Sequence, residues 1–571
     1  MKNSEIADAF DQIADLLEFQ GENPFRLRAY RNAAQTLRDL TESVAAIVKD
    51  PERTLTDIPG IGKDLADKIT TLATTGELPL LQELAAKTPP SVLVLMRVPG
   101  VGPKKAAVLY KELQVGTLEQ LKAACDAHRV RDLKGFGEKT EQKILEGLSI
   151  AETVDDRIYW ATADEFVQSL LSHLRACQAV DQAEAAGSYR RGRETIGDLD
   201  LLVASSKPAA VMDHFANYQG VAETIARGDT KMSIRLSGGM QVDLRVVPAD
   251  SFGAAWQYFT GSKAHNVILR GRAKDEGLKI NEYGVFRAET SIAGRTEKDV
   301  YAALGLPLFP PEIREGRQEF VWADAGKLPK LIEIGDLCGD LHMHTNATDG
   351  KATLEEMIAA AQARGLAYIA ITDHSKRVTM ANGLDGTRLR RQWAMIDKLN
   401  EGLRGFQVLK GVEVDILEKG GLDLDDDVLA GADWIVASVH YGQNQPREQI
   451  TQRILDAIKN PHVSAIAHPT GRILNRRKSY EIDLDAMFKA ARDYGKFLEL
   501  NANPARLDLD DVACAAAKSF KIPIVISSDA HSTQGLDVLR YGINQARRAG
   551  LTKQDVANTR PWRDLQKLLG K

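Results

Sequence analysis

Gly187-Ser-Tyr-Arg-Arg-Gly-Arg-Glu-Thr-Ile-Gly-Asp-Leu-Asp200 is the stretch on which the reading of this chain turns. A glycine-serine turn and three arginines, Arg190, Arg191 and Arg193, lead past Gly197 to two aspartates spaced i, i+2. In an extended strand that spacing sets Asp198 and Asp200 on one face, while Leu199, Leu201 and Val203 point the other way into a core. Two neighbouring carboxylates repel unless a cation lies between them, and hard oxygen ligands of this kind suit Mg²⁺. A second strand, Gln241–Val247, repeats the alternation, with Val242, Leu244 and Val246 on its apolar face and Asp243 on its polar one. Three carboxylates on neighbouring strands, beside a Gly-Ser loop offering backbone N–H groups and arginines, make a site for two metals and a triphosphate.

GS-x-RRG followed by GDLD, with a later VDLR strand, resembles the palm of a family-X DNA polymerase. The resemblance implies that Asp198, Asp200 and Asp243 are catalytic and hold two Mg²⁺, and that Ser188, Arg191 and Gly197 bind the phosphates of the nucleotide. It extends downstream to Tyr258-Phe-Thr-Gly-Ser262, Asn266, Arg270 and Ile280-Asn-Glu-Tyr283, which look like the subdomain that closes over the nascent base pair. By the family pattern Tyr258 and Phe259 pack by the sugar of the incoming nucleotide, Asn266 touches its base and Arg270 the template side. Read from the residues alone, Tyr258 and Phe259 are core aromatics. Lys263 and His265 depart from the vertebrate pattern.

The chain of 571 residues has room for about four domains of ordinary size. Its 44% hydrophobic and 27% charged residues are globular proportions, and its apolar runs are shorter than the ~18 residues a membrane helix needs. The start, MKNSEIADAFDQIADLL, has an amphipathic helix pattern and no signal-peptide design. Cys125, Cys177, Cys338 and Cys514 stand far apart, which indicates neither a disulfide framework nor a thiolate zinc site and fits a reduced cytoplasm, where the polymerase resemblance implies a nucleoid-associated protein. The net charge of −5 hides local patches. Residues 97–143 hold ten Lys/Arg against six Asp/Glu, a local +4, and phosphate contact depends on such local fields.

Residues 1–150 read as all-helical, with three related turns: Ile58-Pro-Gly-Ile-Gly62, Val98-Pro-Gly-Val-Gly102 and Leu133-Lys-Gly-Phe-Gly137. Each is an apolar residue, a Gly-x-Gly and then a lysine-bearing helix. They resemble the helix-hairpin-helix motif, in which Gly60, Gly62, Gly100, Gly102, Gly135 and Gly137 would let backbone N–H groups approach DNA phosphates. Such contacts carry no sequence information. Lys68 and Tyr30 match the lyase pocket of the vertebrate short-gap repair polymerase, which makes Lys68 a possible Schiff-base lysine. The plainer reading of Lys68 is an exposed helical lysine.

Proline clusters and mixed charge at 306–335 predict a linker with reach. From Asp336 onward, seven short apolar runs alternate with amphipathic helices and end near His344, His374, Glu413, His440, His468, Asn501 and Asp529. Six of the seven thus end in a potential metal ligand, at the strand ends where a β/α barrel keeps its active site. The set is DLHMH (His342, His344), TDG (Asp349), TDH (His374), GVE (Glu413), SVH (His440), AHP (His468) and SDAH (Asp529, His531). It resembles the PHP (polymerase and histidinol phosphatase) domain, a distorted seven-stranded barrel with up to three metals. The resemblance implies one ion on His342, His344, Glu413 and Asp529. It implies a second on Glu413, His440 and His468, and a third on Asp349, His374 and His531. Imidazole-rich sites favour Mn²⁺ or Zn²⁺.

The expectation is a multidomain α+β and α/β chain: helical hairpins at 1–150, a nucleotidyltransferase palm at 155–250, a thumb-like subdomain at 251–310, a linker at 311–335 and a PHP barrel at 336–571. The resemblance implies a monomeric gap-filling polymerase acting on gapped or nicked duplex DNA and dNTPs, without a membrane partner. The barrel would supply a 3′–5′ exonuclease and cleavage at abasic sites. Two rival readings are a barrel that is a small-molecule phosphatase tethered to a polymerase, and a non-catalytic DNA-end scaffold. The scaffold reading expects a lost palm aspartate or barrel ligand, and none is lost.

Overall fold

The computed structural model describes all residues except 1–2, 40–43, 51–52, 59, 89, 99–100, 152–156, 238 and 571. It divides into two compact units, residues 1–156 with 475–477, and residues 157–474 with 478–571.

The first unit is helical, as its periodicity predicts. In the opening helix Asn3–Phe19, Ile6, Phe10, Ile13 and Leu17 recur at helical spacing and all are buried. They belong to one apolar cluster spanning residues 6–84, and a second cluster gathers residues 92–148. The three glycine turns are built alike. Ile61, Val101 and Phe136 donate their N–H groups to Ile58, Val98 and Leu133, at 3.0, 2.9 and 3.0 Å. Gly60 and Gly135 take φ +86° and +87°, conformations that a side chain would strain.

The second unit begins with a five-stranded sheet ordered Gln182–Ala185, Asp198–Ala204, Gln241–Val247, Lys231–Leu236, Val221–Arg227. The two aspartate-bearing strands lie side by side and parallel. Leu199, Leu201 and Val203 join Val242, Leu244 and Val246 under the helix Trp160–Arg175, so the predicted inward face is the buried one. Leu202 and Ala204 are buried on the opposite face against Phe252 and Ala255. Two helices, Phe252–Thr260 and Lys263–Asp275, and a small antiparallel sheet follow.

The stretch predicted to be a linker is packed instead. Phe309, Ile313, Phe320 and Leu331 share a core with Leu269, Val300 and Tyr301. Arg314 is fully buried, donates to the Phe309 carbonyl at 3.0 and 2.7 Å, and pairs with Glu297 at 2.6 Å. The prolines hid this because its few apolar residues follow no helical or strand period. Two of its charges, Arg314 and Glu319, are buried partners of Glu297 and His265 from earlier in the chain.

The remainder is a seven-stranded parallel sheet in sequential order, from Gly339–Asp340 to Ile524–Ser527. Its two ends meet: the Asp529 N–H donates to His342 at 2.9 Å and the His344 N–H to Ala530 at 2.8 Å. Tyr368, Leu409, Trp434, Phe497 and Val525 fill one core cluster, and a larger one packs the helices against the strands.

Glu297 tests the buried charge network. Burial raises its carboxyl pKa, but Arg190 and Arg314 outweigh that and hold it at about 2, against an ordinary 4.5. A depressed carboxylate contributes stability above its unfolded pKa, and that contribution is lost as pH falls from about 4.5 towards 2. Glu297→Gln leaves two guanidiniums without their counter-charge and should cost ~3–5 kcal/mol at pH 7. Thermal midpoints of the full chain measured between pH 7 and pH 3 should converge for wild type and variant.

Candidate active sites

The Gly187–Asp200 stretch opens as one helical turn, Gly187–Arg190, and runs onto the strand Asp198–Ala204. Gly187 has φ +61°, and a Cβ there would lie 2.1 Å from Asp200 Oδ2. The turn can approach the carboxylate only because residue 187 has no side chain. Asp200 sits directly opposite Asp243 in the parallel register, and Asp198 lies two residues earlier on the same face. Burial, then the charges of Asp198 and Asp243, push the Asp200 carboxyl up to about 7. Three oxygen donors on one face, short of positive charge, fit a hard divalent cation.

The other residues expected at the nucleotide site lie on or next to the turn Gly187–Arg190 and the strand Asp198–Ala204, and on the helices Phe252–Thr260 and Lys263–Asp275. Ser188 lies in the turn, half-buried. Arg190 is clamped by Glu297 at 2.8 and 2.6 Å and by Thr260 at 2.7 Å, 3.4 Å above the Trp256 ring. Arg191 donates to the Thr260 carbonyl at 2.5 Å and to Glu315 at 3.1 Å. A Cβ on Gly197 would lie 2.9 Å from Arg157 Nη1. The Tyr258 and Phe259 rings meet edge to face at 5.2 Å, with Arg245 4.4 Å above Phe259. Asn266 donates to the Tyr258 carbonyl and accepts from Gln257, both at 2.8 Å. Arg270 is exposed on the same helix as Asn266. His265, which departs from the vertebrate pattern, is buried between Glu319 and Tyr301, each at 2.9 Å.

The nine ligand-type residues expected in the barrel are brought together at the C-terminal ends of its strands. Glu413, 1% exposed, lies 2.8–3.6 Å from His342, His344, His374, His440 and His468. Asp529 reaches His344 at 3.2 Å and His342 at 3.6 Å. Asp349 reaches His374 at 3.4 Å and His531 at 3.3 Å. Among the described residues, groups of three or more ligand atoms within 4.8 Å of one another occur here, as His344-Asp349-His374-His531, His342-His344-Asp529 and His374-Glu413-His440. The sets overlap, with His344 and His374 lying between neighbouring groups. Burial works against the charge of Glu413, but His374, His440 and His342 hold its carboxyl well below the usual range. Burial, with His531 and His374, lowers His344 to about 4. His342 Nε2, His344 Nδ1, His374 Nδ1 and Glu413 Oε2 are buried without a hydrogen-bond partner. Orphaned imidazole nitrogens converging on a carboxylate are the donor set of a borderline divalent cation.

Two residues here escaped the sequence reading. Glu499 accepts from His342 Nδ1 at 2.6 Å and from the His468 N–H at 2.5 Å. Asp415 sits 3.0 Å from His440 Nδ1. Each orients an imidazole whose other nitrogen faces the cluster. Their signal was present: Glu499 and Asp415 stand i−2 from Asn501 and i+2 from Glu413, on the same strand faces.

In the first unit, Gly62 and Gly102 cap the helices Lys63–Thr75 and Pro103–Leu113, and Gly137 immediately precedes Glu138–Ala151. Gly100 lies outside the described residues. Lys63, Lys104, Lys139 and Lys143 are exposed on the helices after these turns. Lys68 pairs with Asp64 one turn earlier. Tyr30 is 2% exposed and packs edge to face on Phe10 at 5.5 Å, a core position.

Similarity to known proteins follows the same division. Residues 1–78 match a helix-hairpin-helix domain, 92–149 a SAM-like helix-hairpin-helix tandem, 255–315 the DNA polymerase beta thumb and 340–503 the PHP domain. The chain is 40% identical over 574 residues to the DNA polymerase/3′-5′ exonuclease PolX of Bacillus subtilis (strain 168), covering 100% of this chain and 99% of that protein. A probable phosphatase of Thermoanaerobacter sp. (strain X514) is 32% identical over 231 residues, 38% of this chain and 89% of its own length. Fold and site together define a polymerase palm joined to a metal-binding hydrolase barrel. The chain belongs to the bacterial family-X DNA polymerases that carry a C-terminal PHP domain.

Glu499→Gln keeps the shape of the side chain and removes the charge that fixes the His342 ring. Metal retained by the barrel after dialysis, counted per chain by elemental analysis, should reflect a ~10–100-fold loss of affinity.

Proposed function

We propose that this chain is a DNA polymerase that fills short gaps in repair and, through its barrel, a 3′–5′ exonuclease acting on the same DNA. Membership of the family carries the overall activity. The direct opposition of Asp200 and Asp243, with Asp198 on the same face, supports the polymerase site. The burial of Glu413 among five imidazoles supports the hydrolase site.

In this reading Asp198, Asp200 and Asp243 hold two Mg²⁺, and the barrel ligands hold up to three Mn²⁺ or Zn²⁺. Divalent cations bound at these positions would acidify an oxygen nucleophile and neutralise developing phosphate charge. The protein's own residues do the rest. The Gly187–Arg190 turn offers N–H groups to the nucleotide phosphates, with Ser188, Arg191 and Gly197 around it. Tyr258 and Phe259 present a ring edge and face to the sugar, and Asn266, fixed by two hydrogen bonds, faces the base. Arg270 is free to reach the template. Glu499 and Asp415 set the ring orientation of His342 and His440. The Gly60, Gly62, Gly100, Gly102, Gly135 and Gly137 turns contact phosphates of gapped or nicked duplex without reading sequence. The substrates are dNTPs, and the protein acts as a cytoplasmic, nucleoid-associated monomer. The domains run 1–150, 155–250, 251–310 and 336–571, with 311–335 fastening the polymerase part to the barrel.

A second reading is favoured by the likeness of the barrel to probable phosphatases: the barrel removes phosphate from a small ester. Release of mononucleotides from a labelled primer separates the two. Asp243→Ala should lose gap filling by ~10³-fold or more and keep the nuclease. His344→Ala and Glu413→Ala should lose the nuclease and extend primers. Mn²⁺ should support the nuclease better than Mg²⁺, which matches imidazole poorly. Nuclease that disappears with Asp243→Ala would be reversal of polymerisation, and the phosphatase reading would stand.

Lys68 is the candidate nucleophile for a 5′-deoxyribose phosphate. Borohydride should trap a covalent adduct on an incised abasic duplex, and Lys68→Ala should abolish it. An adduct that survives Lys68→Ala moves the nucleophile elsewhere.

A further inference from the structure

The helix Leu539–Arg548 belongs by sequence to the barrel, yet it has two packing faces. On one face Gly542 is pressed so closely to the strand ends that a Cβ would lie 2.7 Å from Ala502 and Ile526. The adjacent face meets the polymerase phosphate loop. Tyr541 abuts the Trp160 ring at 5.8 Å, and Asn544 lies 3.6 Å from where a Cβ on Gly192 would stand. Gln545 donates to Glu194 at 3.3 Å. These positions share a helical stripe that ends at Arg548.

Arg548 makes the most committed of these contacts. Its side chain is 3% exposed. One guanidinium nitrogen donates at 2.8 Å to the backbone carbonyl of Arg191 and at 2.8 Å to Glu315. The same Glu315 oxygen accepts from the Arg191 side chain at 3.1 Å. The second terminal nitrogen donates at 2.8 Å to Asp511, at the start of the barrel helix Asp511–Ser519. Arg191 is thereby held at both ends, its backbone by Arg548 directly and its guanidinium through the shared Glu315. At that depth a lost bond leaves a buried polar group unpaired, and the planar fork of arginine reaches all three acceptors where lysine reaches one.

We propose that Arg548 is a positioning residue of the polymerase site: from the barrel, it fixes Arg191 and the Gly187–Arg193 loop where the triphosphate of the incoming nucleotide binds. The inference rests on the reading of that loop as the nucleotide-phosphate site. Nucleotide incorporation therefore depends on the scaffold of the barrel while remaining independent of its metal ligands. The expectation that the two halves are joined by a flexible linker gives way to a shared scaffold.

The test uses the full chain. Gap filling on a 5′-phosphorylated gapped duplex is measured across dNTP concentrations, and shortening of a labelled single strand is measured without dNTPs. Arg548→Gln should raise the KM for dNTP by about tenfold or more, because misplacement of a binding group by an ångström weakens its contribution on that scale. Its nuclease rate and DNA affinity should stay within about twofold of wild type. Arg548→Lys keeps charge and bulk but reaches one acceptor, and should show an intermediate KM. A merely structural role would reduce the number of active molecules, lowering kcat and nuclease together and leaving KM unchanged; that result in either variant overturns the proposal. Should Arg548→Gln not fold, Arg548→Lys decides alone, and a wild-type KM in it overturns the proposal equally. Asp243→Ala is run alongside. If it extends primers normally, the palm reading itself has failed, whatever Arg548 does.

Discussion

The Glu413 carboxylate, buried with five imidazoles within 3.6 Å, sets the terms for the rest of the barrel. The carboxylate and four of the five rings are buried, and burial of such groups is costly unless each finds a partner. The ring of seven strands is what brings them together. Its strands end side by side, its outer helices exclude solvent, and Glu499 and Asp415 tie down the nitrogens that face away from the centre. The palm poses the same problem with opposite sign. Three carboxylates share a face there, and Asp200 is pushed up to about 7 by burial and by its two neighbours. In the palm the apolar core holds together carboxylates that repel one another, and in the barrel it holds a carboxylate and imidazoles whose attraction offsets their burial. The donor set of each centre suits divalent cations.

Much of this was legible because strands write their two faces into alternate residues. The i, i+2 spacing of Asp198 and Asp200 and the apolar run beside it gave both the carboxylate face and the core face. The seven apolar runs ending in ligand types gave the barrel and its order. Hairpin glycines announced turns whose hydrogen bonds prove nearly identical in all three copies. What stayed hidden depends on partners remote in sequence. Glu499 acts on His342, 157 positions earlier; its place two residues before Asn501 marks the strand face but not the partner. The grouping of ligands is similarly non-local, since His344 and His374 face two neighbours each. Tyr30, matched to a lyase pocket by its sequence context, lies in a core that only tertiary packing reveals.

The segment around Arg314 shows why composition misleads. Prolines and mixed charge describe a solvated linker equally well as a segment several of whose charges are buried in pairs. Here Arg314 meets Glu297, Glu319 meets His265, Glu312 meets Arg547, and Glu315 meets two arginines. Each pair joins residues from different parts of the chain, so the segment works as a strap.

The helix Leu539–Arg548 presents the same difficulty in sharper form. LRYGINQARR has only two large aliphatic side chains, and its polar residues suggest a solvated surface. Gln545 and Arg548 are nevertheless buried, because what covers them is itself polar: the loop of Arg191, Gly192 and Glu194. A polar interface of this kind is directional where an apolar one is not. An apolar patch would tolerate sliding of the loop by an ångström, whereas a guanidinium shared among a carbonyl and two carboxylates has one geometry that satisfies all three. For a loop proposed to present N–H groups and a guanidinium to a triphosphate, fixed geometry matters more than adhesion. That requirement gives a physical reason for a polymerase palm and a hydrolase barrel to share a buried arginine across the seam between them.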